Sequence, residues 1–226
     1  MTHKLITEQH FELVRNSHDP TLDPYDLVRD VVIKHDTECS IEIVSKCFED
    51  RPGNFLCVGA KDGEDQTLRL LERGWTGTYC EPDPRAFLKL MRTVRPYNHR
   101  VTLINTAVFP RGGLMTFNLA QNTSHSSLID SWAKRHNDSI VDRIQVNCIT
   151  LKQLLTKKFD YIQIDTEGLD VALISSVDWS TVPSCEMICT EAGPSVLKQL
   201  CEQGDYMITD VTPENAFYRH RSKIIR

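Results

Sequence analysis

The chain has 226 residues, of which 40% are hydrophobic and 25% charged, and its formal net charge is -5. This length fits a single domain, and this composition excludes an intrinsically disordered chain. The acidic balance argues against a nucleic-acid or anionic-membrane binder, and no apolar run approaches the roughly 20 residues of a spanning helix. We therefore expect a globular protein without a membrane segment or a signal peptide.

The chain contains 8 cysteines but no C-x-x-C pair, so the sequence predicts no metal cluster. Several cysteines fall in apolar stretches, where a free thiol behaves as a small buried hydrophobic group: Cys57, Cys80, Cys148 and Cys189. Free thiols are typical of a reducing compartment, and we expect a cytoplasmic protein.

Two helices are predicted ahead of the main domain. Asp23 and Pro24 have the pattern of an N-cap and a first helical position, and a helix over 24–35 follows. Ser40 can cap a second helix that ends before the Arg-Pro-Gly at 51–53. The predicted division is into an N-terminal helical extension, 1–50, and one domain, 51–226.

From residue 54 onward, short apolar runs alternate with helical periodicity, which predicts an α/β fold with a mainly parallel sheet and helices on its faces. The predicted strands are 54–58, 77–80, 101–105, 159–164, 185–190, 205–211 and 215–219. The predicted helices are 65–73, 84–94, 150–156, 168–176 and 194–203. Only "TPEN" separates the last two strands, which must be antiparallel because a parallel pair needs a crossover of about a dozen residues.

The stretch 110–148 interrupts this alternation and predicts an inserted pair of strands around a polar loop. Insertions near the ligand edge of such a sheet commonly form a lid or a substrate wall. We expect the insertion to lie beside the ligand site.

Ligands of an open parallel sheet lie beyond the carboxyl ends of its strands. After the first strand comes a turn whose backbone N–H groups can approach a ligand closely: Gly59, Ala60, Lys61, Asp62 and Gly63. Glu81 follows the second strand about 20 residues later, which is the spacing of a carboxylate that accepts hydrogen bonds from ribose hydroxyls. Pro82 ends that strand. The combination predicts a nucleoside-binding edge.

Small and acidic residues follow the later strands. Thr106 and Ala107 suit the flat edge of adenine. Three acids follow the fourth strand and one follows the fifth: Asp165, Glu167, Asp170 and Glu191. Burying unpaired charge is costly, so such acids need partners, a cation or a ligand, and capping of the next helix is the structural alternative. The cleft suits a ligand with hydroxyls, an amine or a positive sulfonium, and S-adenosylmethionine carries all three.

Five motifs stand in order over about residues 54–192: "FLCVGAKDG", "LLERGWTGTYCEPDPRAFLKL", "SSL", "FDYIQIDTEGLDVALI" and "EMICTEAG". In these motifs the chain resembles the FkbM-type methyltransferases, a family of class I S-adenosylmethionine-dependent enzymes. The resemblance implies a Rossmann-like, mainly parallel seven-stranded sheet with one antiparallel strand near the C-terminus. It also implies methyl transfer to an oxygen nucleophile, usually a hydroxyl of a sugar, glycan, polyketide or other small natural product.

By the same resemblance, the glycine turn faces the methionine part of the cofactor, Glu81 faces the ribose, and Thr106 and Ala107 face the adenine. Asp165 and Glu167 lie where the sulfonium and the acceptor meet. The full cofactor set is Gly59, Ala60, Lys61, Asp62, Gly63, Glu81, Pro82, Thr106, Ala107 and Asp165, and the substrate set is Glu191 and Ser126.

Two positions depart from the family pattern. The family usually has an acid where this chain has Cys57, and Asn where it has Lys61. The first change removes a hydrogen-bond acceptor for the cofactor's amino group, and the second adds positive charge beside the sulfonium. A relocated acid, such as Asp62, would compensate for the first.

A hydroxyl is a poor nucleophile, so we expect a base within hydrogen-bonding distance of the acceptor. Asp165 is the predicted base or orienter, supported by Glu167 or Glu191, and His125 in the inserted loop is the alternative base. Clustered acids also permit a Mg²⁺ ion, although we expect no metal.

Two alternative functions stay open. An RNA 2'-O-methyltransferase typically uses a Lys-Asp-Lys-Glu set, for which the chain offers Lys46, Asp165, Lys198 and Glu214, although the net charge disfavours nucleic acid. A non-catalytic relative would keep the fold as a binding module, with Cys57 as a sign of decay. The sequence identifies neither the acceptor nor the oligomeric state, and no aromatic platform for a sugar stands out.

Overall fold

The computed structural model describes residues 37–48, 51–192, 196, 198–212 and 214–224. Its first element is helix α1, Thr37–Cys47. This helix begins ahead of Ser40, which is buried within it, so the prediction that Ser40 caps the helix is wrong. A serine before an apolar run is a common helix start, but the same residue is tolerated inside a helix. The helix predicted over 24–35 lies outside the described residues.

The predicted strands are all present, each within two residues of its predicted bounds. In chain order the strands are β1 Asn54–Val58, β2 Thr76–Cys80, β3 Val101–Ile104, β4 Ala107–Val108, β5 Gly113–Ala120, β6 Ile140–Ile149, β7 Tyr161–Ile164, β8 Met187–Thr190, β9 Tyr206–Val211 and β10 Ala216–His220. The helices after α1 are α2 Gln66–Glu72, α3 Pro84–Thr93, α4 Trp132–Arg135, α5 Leu151–Leu154 and α6 Asp170–Ser175. Short 3-10 turns span Arg95–Arg100, Thr123–His125 and Arg221–Lys223, and a π-helix spans Lys198–Gln203.

Seven strands form one sheet in the order β3-β2-β1-β7-β8-β10-β9. Strand β10 is antiparallel to both of its neighbours, and the other pairs are parallel, so the predicted sheet with one reversed strand is confirmed. The strand order reverses between β1 and β7. A crevice opens at that point because the connections leaving the two strands run to opposite sides of the sheet.

The predicted pair of inserted strands is also present. Strands β5 and β6 form an antiparallel hairpin, and β4 adds to β6 as a third, parallel strand of a separate small sheet. The two sheets meet near the crevice, because only two residues separate the end of β3 from the start of β4. The loop between β5 and β6 carries α4 and the turn at Thr123–His125 toward the carboxyl ends of β1 and β7.

The core lies on both faces of the large sheet. In β1, Leu56 and Val58 join one buried cluster, whereas Phe55 and Cys57 join the other, as the alternation of side chains along a strand requires. The four cysteines predicted in apolar stretches, Cys57, Cys80, Cys148 and Cys189, are buried free thiols. Within the described ranges, no helix has the length and apolarity to cross a membrane.

Gly59 allows the turn after β1 to approach the loop after β7 closely. We expect Gly59→Ala to lower the free energy of unfolding by about 3 kcal/mol or more, since its φ is +80° and an added Cβ would lie 1.7 Å from the Asp165 carbonyl oxygen. Gly113→Ala is the matched control, because its φ of +95° adds the same backbone strain while no atom lies within 4 Å. Urea unfolding measures both variants, and equal losses would contradict the close contact.

Candidate active site

The main cleft lies beyond the carboxyl ends of β1, β2 and β7 and holds about 480 Å³ of empty space, including its open mouth. Most of the predicted site residues line it: Gly59, Lys61, Glu81, Pro82, Thr106, Ala107, Ser126, Asp165 and Glu167. Its apolar wall comes from Val58, Val108, Phe117, Leu128 and Leu169. The inserted sheet therefore supplies one side of the cleft.

The glycine turn after β1 is held by backbone hydrogen bonds. The N–H groups of Gly59 and Ala60 both donate to the Cys80 carbonyl, and Gly63 donates to the Ala60 carbonyl. Ala60 is buried in the core, and Gly63 packs against Leu90, so these two residues shape the turn without lining the cleft. Asp62 also lies outside the cleft lining.

Glu81 is buried at the end of β2 and faces the cleft. Its Oε2 accepts a hydrogen bond from the Lys61 backbone N–H at 2.8 Å, and its Oε1 accepts one from the Asp83 N–H at 2.7 Å. Burial raises the pKa of Glu81 to about 8 against these two bonds, which favour the carboxylate. Each oxygen keeps lone pairs for a further donor, such as a ribose hydroxyl.

Lys61 reaches across the cleft to the loop after β7. Its Nζ lies 2.9 Å from Glu167 Oε1 and 3.3 Å from Asp165 Oδ2. Burial alone would lower the pKa of Lys61, but Asp165 and Glu167 raise it well above the ordinary value. Lys61 and Glu167 both have left-handed backbone, with φ of 50° and 53°, a conformation that costs energy for residues other than glycine. The ion pairs thus join two strained turns.

Asp165 lines the cleft and has one carboxylate oxygen without a partner among the described residues. Its Oδ1 is buried and has no hydrogen-bond partner among the described residues, whereas Oδ2 faces Lys61. Burial raises the pKa of Asp165, Lys61 lowers it, and Glu167 raises it again, with a net upward effect. An unpaired buried acceptor of this kind is costly unless a ligand satisfies it.

The inserted loop is fixed to the same β7 loop. Trp132 Nε1 donates to Glu167 Oε2 at 2.7 Å, and the Ser127 hydroxyl donates to the Glu167 carbonyl at 2.9 Å. Gly168 allows the close approach, since a Cβ there would lie 2.6 Å from the Trp132 ring. Sequence reasoning missed Trp132, because nothing in the loop sequence shows that its indole meets a residue 35 positions away.

Ser126 ties the insertion to β2. Its hydroxyl donates to Asp83 Oδ2 at 2.8 Å and accepts a hydrogen bond from the Ala120 N–H, while Arg85 pairs with the same Asp83 oxygen at 2.7 Å. Asp83 is fully buried and also caps α3. Ser126 lines the cleft, but its hydroxyl is committed to this contact.

Asp170 was noticed in the sequence only as one acid of a cluster. Its Oδ1 accepts from the Thr166 N–H at 2.9 Å, and its Oδ2 accepts from the Thr190 hydroxyl at 2.8 Å. Burial raises the pKa of Asp170, whereas these bonds lower it. Asp170 therefore links the ends of β7 and β8 and fixes the loop that carries Asp165 and Glu167.

Besides the three residues of the glycine turn, two further predicted residues lie outside the lining of the main cleft. Glu191 lines a neighbouring cleft together with Trp132. His125 lies 3.0 Å from Asp138 Oδ2 through Nδ1, and its ring stacks on His136 with centroids 4.6 Å apart.

The Lys-Asp-Lys-Glu set is not assembled in this cleft. Asp165 lines it, but Lys46 lies on α1, where it pairs with Glu42 at 2.6 Å, and Glu214 follows β9. Within the described residues, no group of three or more His, Cys, Asp or Glu side chains is arranged to hold a metal ion.

At position 57, where the family usually has an acid, the cysteine side chain lies beside a carboxylate from another residue. The thiol is buried, and its Sγ lies 3.9 Å from Oδ2 of Asp65, the residue that caps α2. Asp65 also accepts a hydrogen bond from Gln163 Nε2 at 3.0 Å. A carboxylate thus stands beside position 57 from the following helix, and it is Asp65 rather than the suggested Asp62.

The sheet order, the reversed strand and the cleft at the switch point define a Rossmann-like methyltransferase fold. The family model described as methyltransferase FkbM domain matches residues 58–215. The chain belongs to this family of methyltransferase domains. No curated protein sequence matches the chain.

Solved structures agree on the fold. A methyltransferase FkbM from Methylobacillus flagellatus KT is 13% identical, with a TM-score of 0.50 over 74% of this chain and 43% of that one. This chain therefore spans less than half of that structure. A conserved hypothetical protein from Streptococcus pyogenes is 14% identical, with a TM-score of 0.51 over 83% of this chain and 97% of that one. At such identities the similarity bears on the fold alone.

Removing the Lys61 charge should change the titration of Asp165. We expect Lys61→Met to raise the pKa of Asp165 by about one to three units, because an opposite charge within about 4–6 Å favours the carboxylate. Carbon-13 NMR of labelled aspartate carboxyls measures the pKa, and Lys61→Arg is the control that keeps the charge. An unchanged Asp165 pKa in Lys61→Met would show that the ion pair does not form in solution.

Proposed function

We propose that the protein transfers a methyl group from S-adenosylmethionine to a hydroxyl of a sugar, glycan or other small natural product. The observation that carries this proposal is the carboxylate of Asp165, which lines the main cleft and whose buried Oδ1 has no partner among the described residues. The RNA and binding-module alternatives have no comparable observation in their favour.

The residues present fit the cofactor at its nucleoside end. Glu81 offers carboxylate oxygens at the distance along the chain expected for ribose recognition, and Thr106 and Ala107 continue the wall beside it. Phe117 and Leu128 from the insertion add apolar surface opposite. An apolar slot next to one buried carboxylate is the arrangement that a purine nucleoside requires.

Bound S-adenosylmethionine would supply an electrophilic methyl group on a positive sulfonium. Asp165, directly after β7, would accept the proton of the acceptor hydroxyl at its carboxylate. Its raised pKa makes it a stronger base than an exposed aspartate, and Lys61 on Oδ2 holds the carboxylate in place. Trp132 and the insertion would exclude water from this end, which keeps the nucleophile from being solvated.

Cofactor binding should depend on Glu81. We expect Glu81→Gln to weaken S-adenosylmethionine binding by about 10- to 100-fold in isothermal titration, because hydrogen bonds to a charged group contribute about 1.5–3 kcal/mol. Glu64→Gln is the matched control, since Glu64 is an exposed acid of the same turn region. Equal affinities in the two variants would contradict the ribose assignment, and an absence of heat in the unmodified protein would favour the binding-module alternative.

Transfer should depend on Asp165 and on its ionisation. We expect Asp165→Asn to lose about 10²- to 10⁴-fold in methyl transfer while still binding the cofactor. In the unmodified enzyme the rate should rise with pH through a value well above the ordinary aspartate pKa, because the base must be deprotonated and its pKa is raised. Transfer of labelled methyl groups to a pool of hydroxylated metabolites measures both effects. Activity within a few fold of the unmodified enzyme would show that Asp165 is not the base.

A further inference from the structure

A second cleft adjoins the main one on the β8 side. It holds about 490 Å³ of empty space, including its mouth, and its lining residues are Trp132, Gly168, Asp170, Val171, Glu191 and Ala192. Glu167 separates the two clefts, because it lines the main cleft and accepts the Trp132 indole hydrogen bond at 2.7 Å. A molecule in the second cleft would therefore lie next to the proposed methyl-transfer position.

The loop shared by the two clefts carries more negative than positive charge. Lys61 is engaged by Asp165 and Glu167, and Asp170 is engaged by hydroxyl and N–H donors. The Glu191 carboxylate has no hydrogen-bond or ion-pair partner within the part of the chain that the structure describes. Burial, then Asp165, Glu167 and Asp170, raise the pKa of Glu191, and Lys61 lowers it by less.

Trp132 forms the apolar wall of the second cleft. Its ring is partly exposed, and the Arg135 guanidinium lies 5.6 Å from the ring centroid. Because Arg135 already takes the cation position over the indole, a ligand cation is better placed at Glu191 than over the ring. The indole remains available for apolar contact with a ligand ring.

We propose that the second cleft binds the methyl acceptor, and that the acceptor is a hydroxylated ring carrying an ammonium group, with the ammonium at Glu191 and the ring against Trp132. Asp165, whose Oδ1 has no partner among the described residues, lines the adjoining main cleft and not the second one. The assignment as acceptor rests on the proposed function, whereas the preference for an ammonium rests on the cleft itself.

The test compares sugars that share a ring and differ in charge: glucosamine, glucose, N-acetylglucosamine and glucuronate. The readout is the indole N–H signal of Trp132 in nitrogen-15 NMR, assigned with Trp132→Phe. The other two indoles are internal controls, because Trp75 and Trp179 are buried and donate to backbone carbonyls elsewhere. Glucosamine should shift the Trp132 signal and bind about threefold more tightly than glucose, since the exposed Glu191 carboxylate attracts an ammonium only as strongly as a surface ion pair allows.

Glu191→Gln should abolish the preference for glucosamine over glucose, whereas Glu202→Gln, which changes an exposed acid elsewhere, should keep it. Equal binding of glucosamine and glucose, tighter binding of glucuronate, or a preference that survives Glu191→Gln would each overturn the proposal. So would the absence of any Trp132 shift with glucosamine up to its solubility limit.

Titrating the same sample with S-adenosylmethionine measures cofactor binding separately from ligand binding in the second cleft, so failure of one proposal can be distinguished from failure of the other. Cofactor binding without an ammonium preference would refute the second-cleft assignment alone. An ammonium preference without cofactor binding would refute the methyltransferase site and leave a cation-selective cleft.

Discussion

The site depends on one close backbone contact, between the glycine turn after β1 and the loop after β7. A Cβ on Gly59 would lie 1.7 Å from the Asp165 carbonyl oxygen, so the two loops can meet only at a glycine. This contact brings Lys61 over Asp165 and Glu167 and sets the floor of the main cleft. Two non-glycine residues on either side of it, Lys61 and Glu167, hold left-handed backbone conformations. Their ion pair offsets part of that strain.

The inserted sheet supplies the second wall of the main cleft. An open α/β sheet offers a crevice with one wall, and here the second wall comes from β4, β5 and the loop that follows. Two anchors fix this wall at opposite ends of the cleft. Asp83 receives Ser126 and Arg85 at the β2 end, and Glu167 receives Trp132 at the β7 end. Both anchors are charge-assisted and partly buried, so the wall is held more firmly than exposed contacts would allow.

The fold could be predicted from the sequence because its signals are local. Apolar runs in β1 and β7 are short and continuous, and the brief "TPEN" connection leaves no room for a parallel crossover. Glu81 and Asp165 could be found as candidates because each directly follows a strand, and strand ends converge at one edge. Ser40 misled the helix assignment because residue identity alone does not distinguish a cap from an interior serine.

The parts of the site that could not be predicted depend on contacts between distant residues. Nothing local to Lys61 shows that its side chain pairs with residues more than 100 positions later, and nothing local to Cys57 shows Asp65 beside it. Trp132 lies in an insertion without periodicity, so its position over Gly168 follows only from how the hairpin folds back. The same folding places an apolar wall of the main cleft and an aromatic wall of the second one on a single segment. Trp132 in the second cleft comes from the insertion, whereas Glu191 in the same cleft directly follows β8.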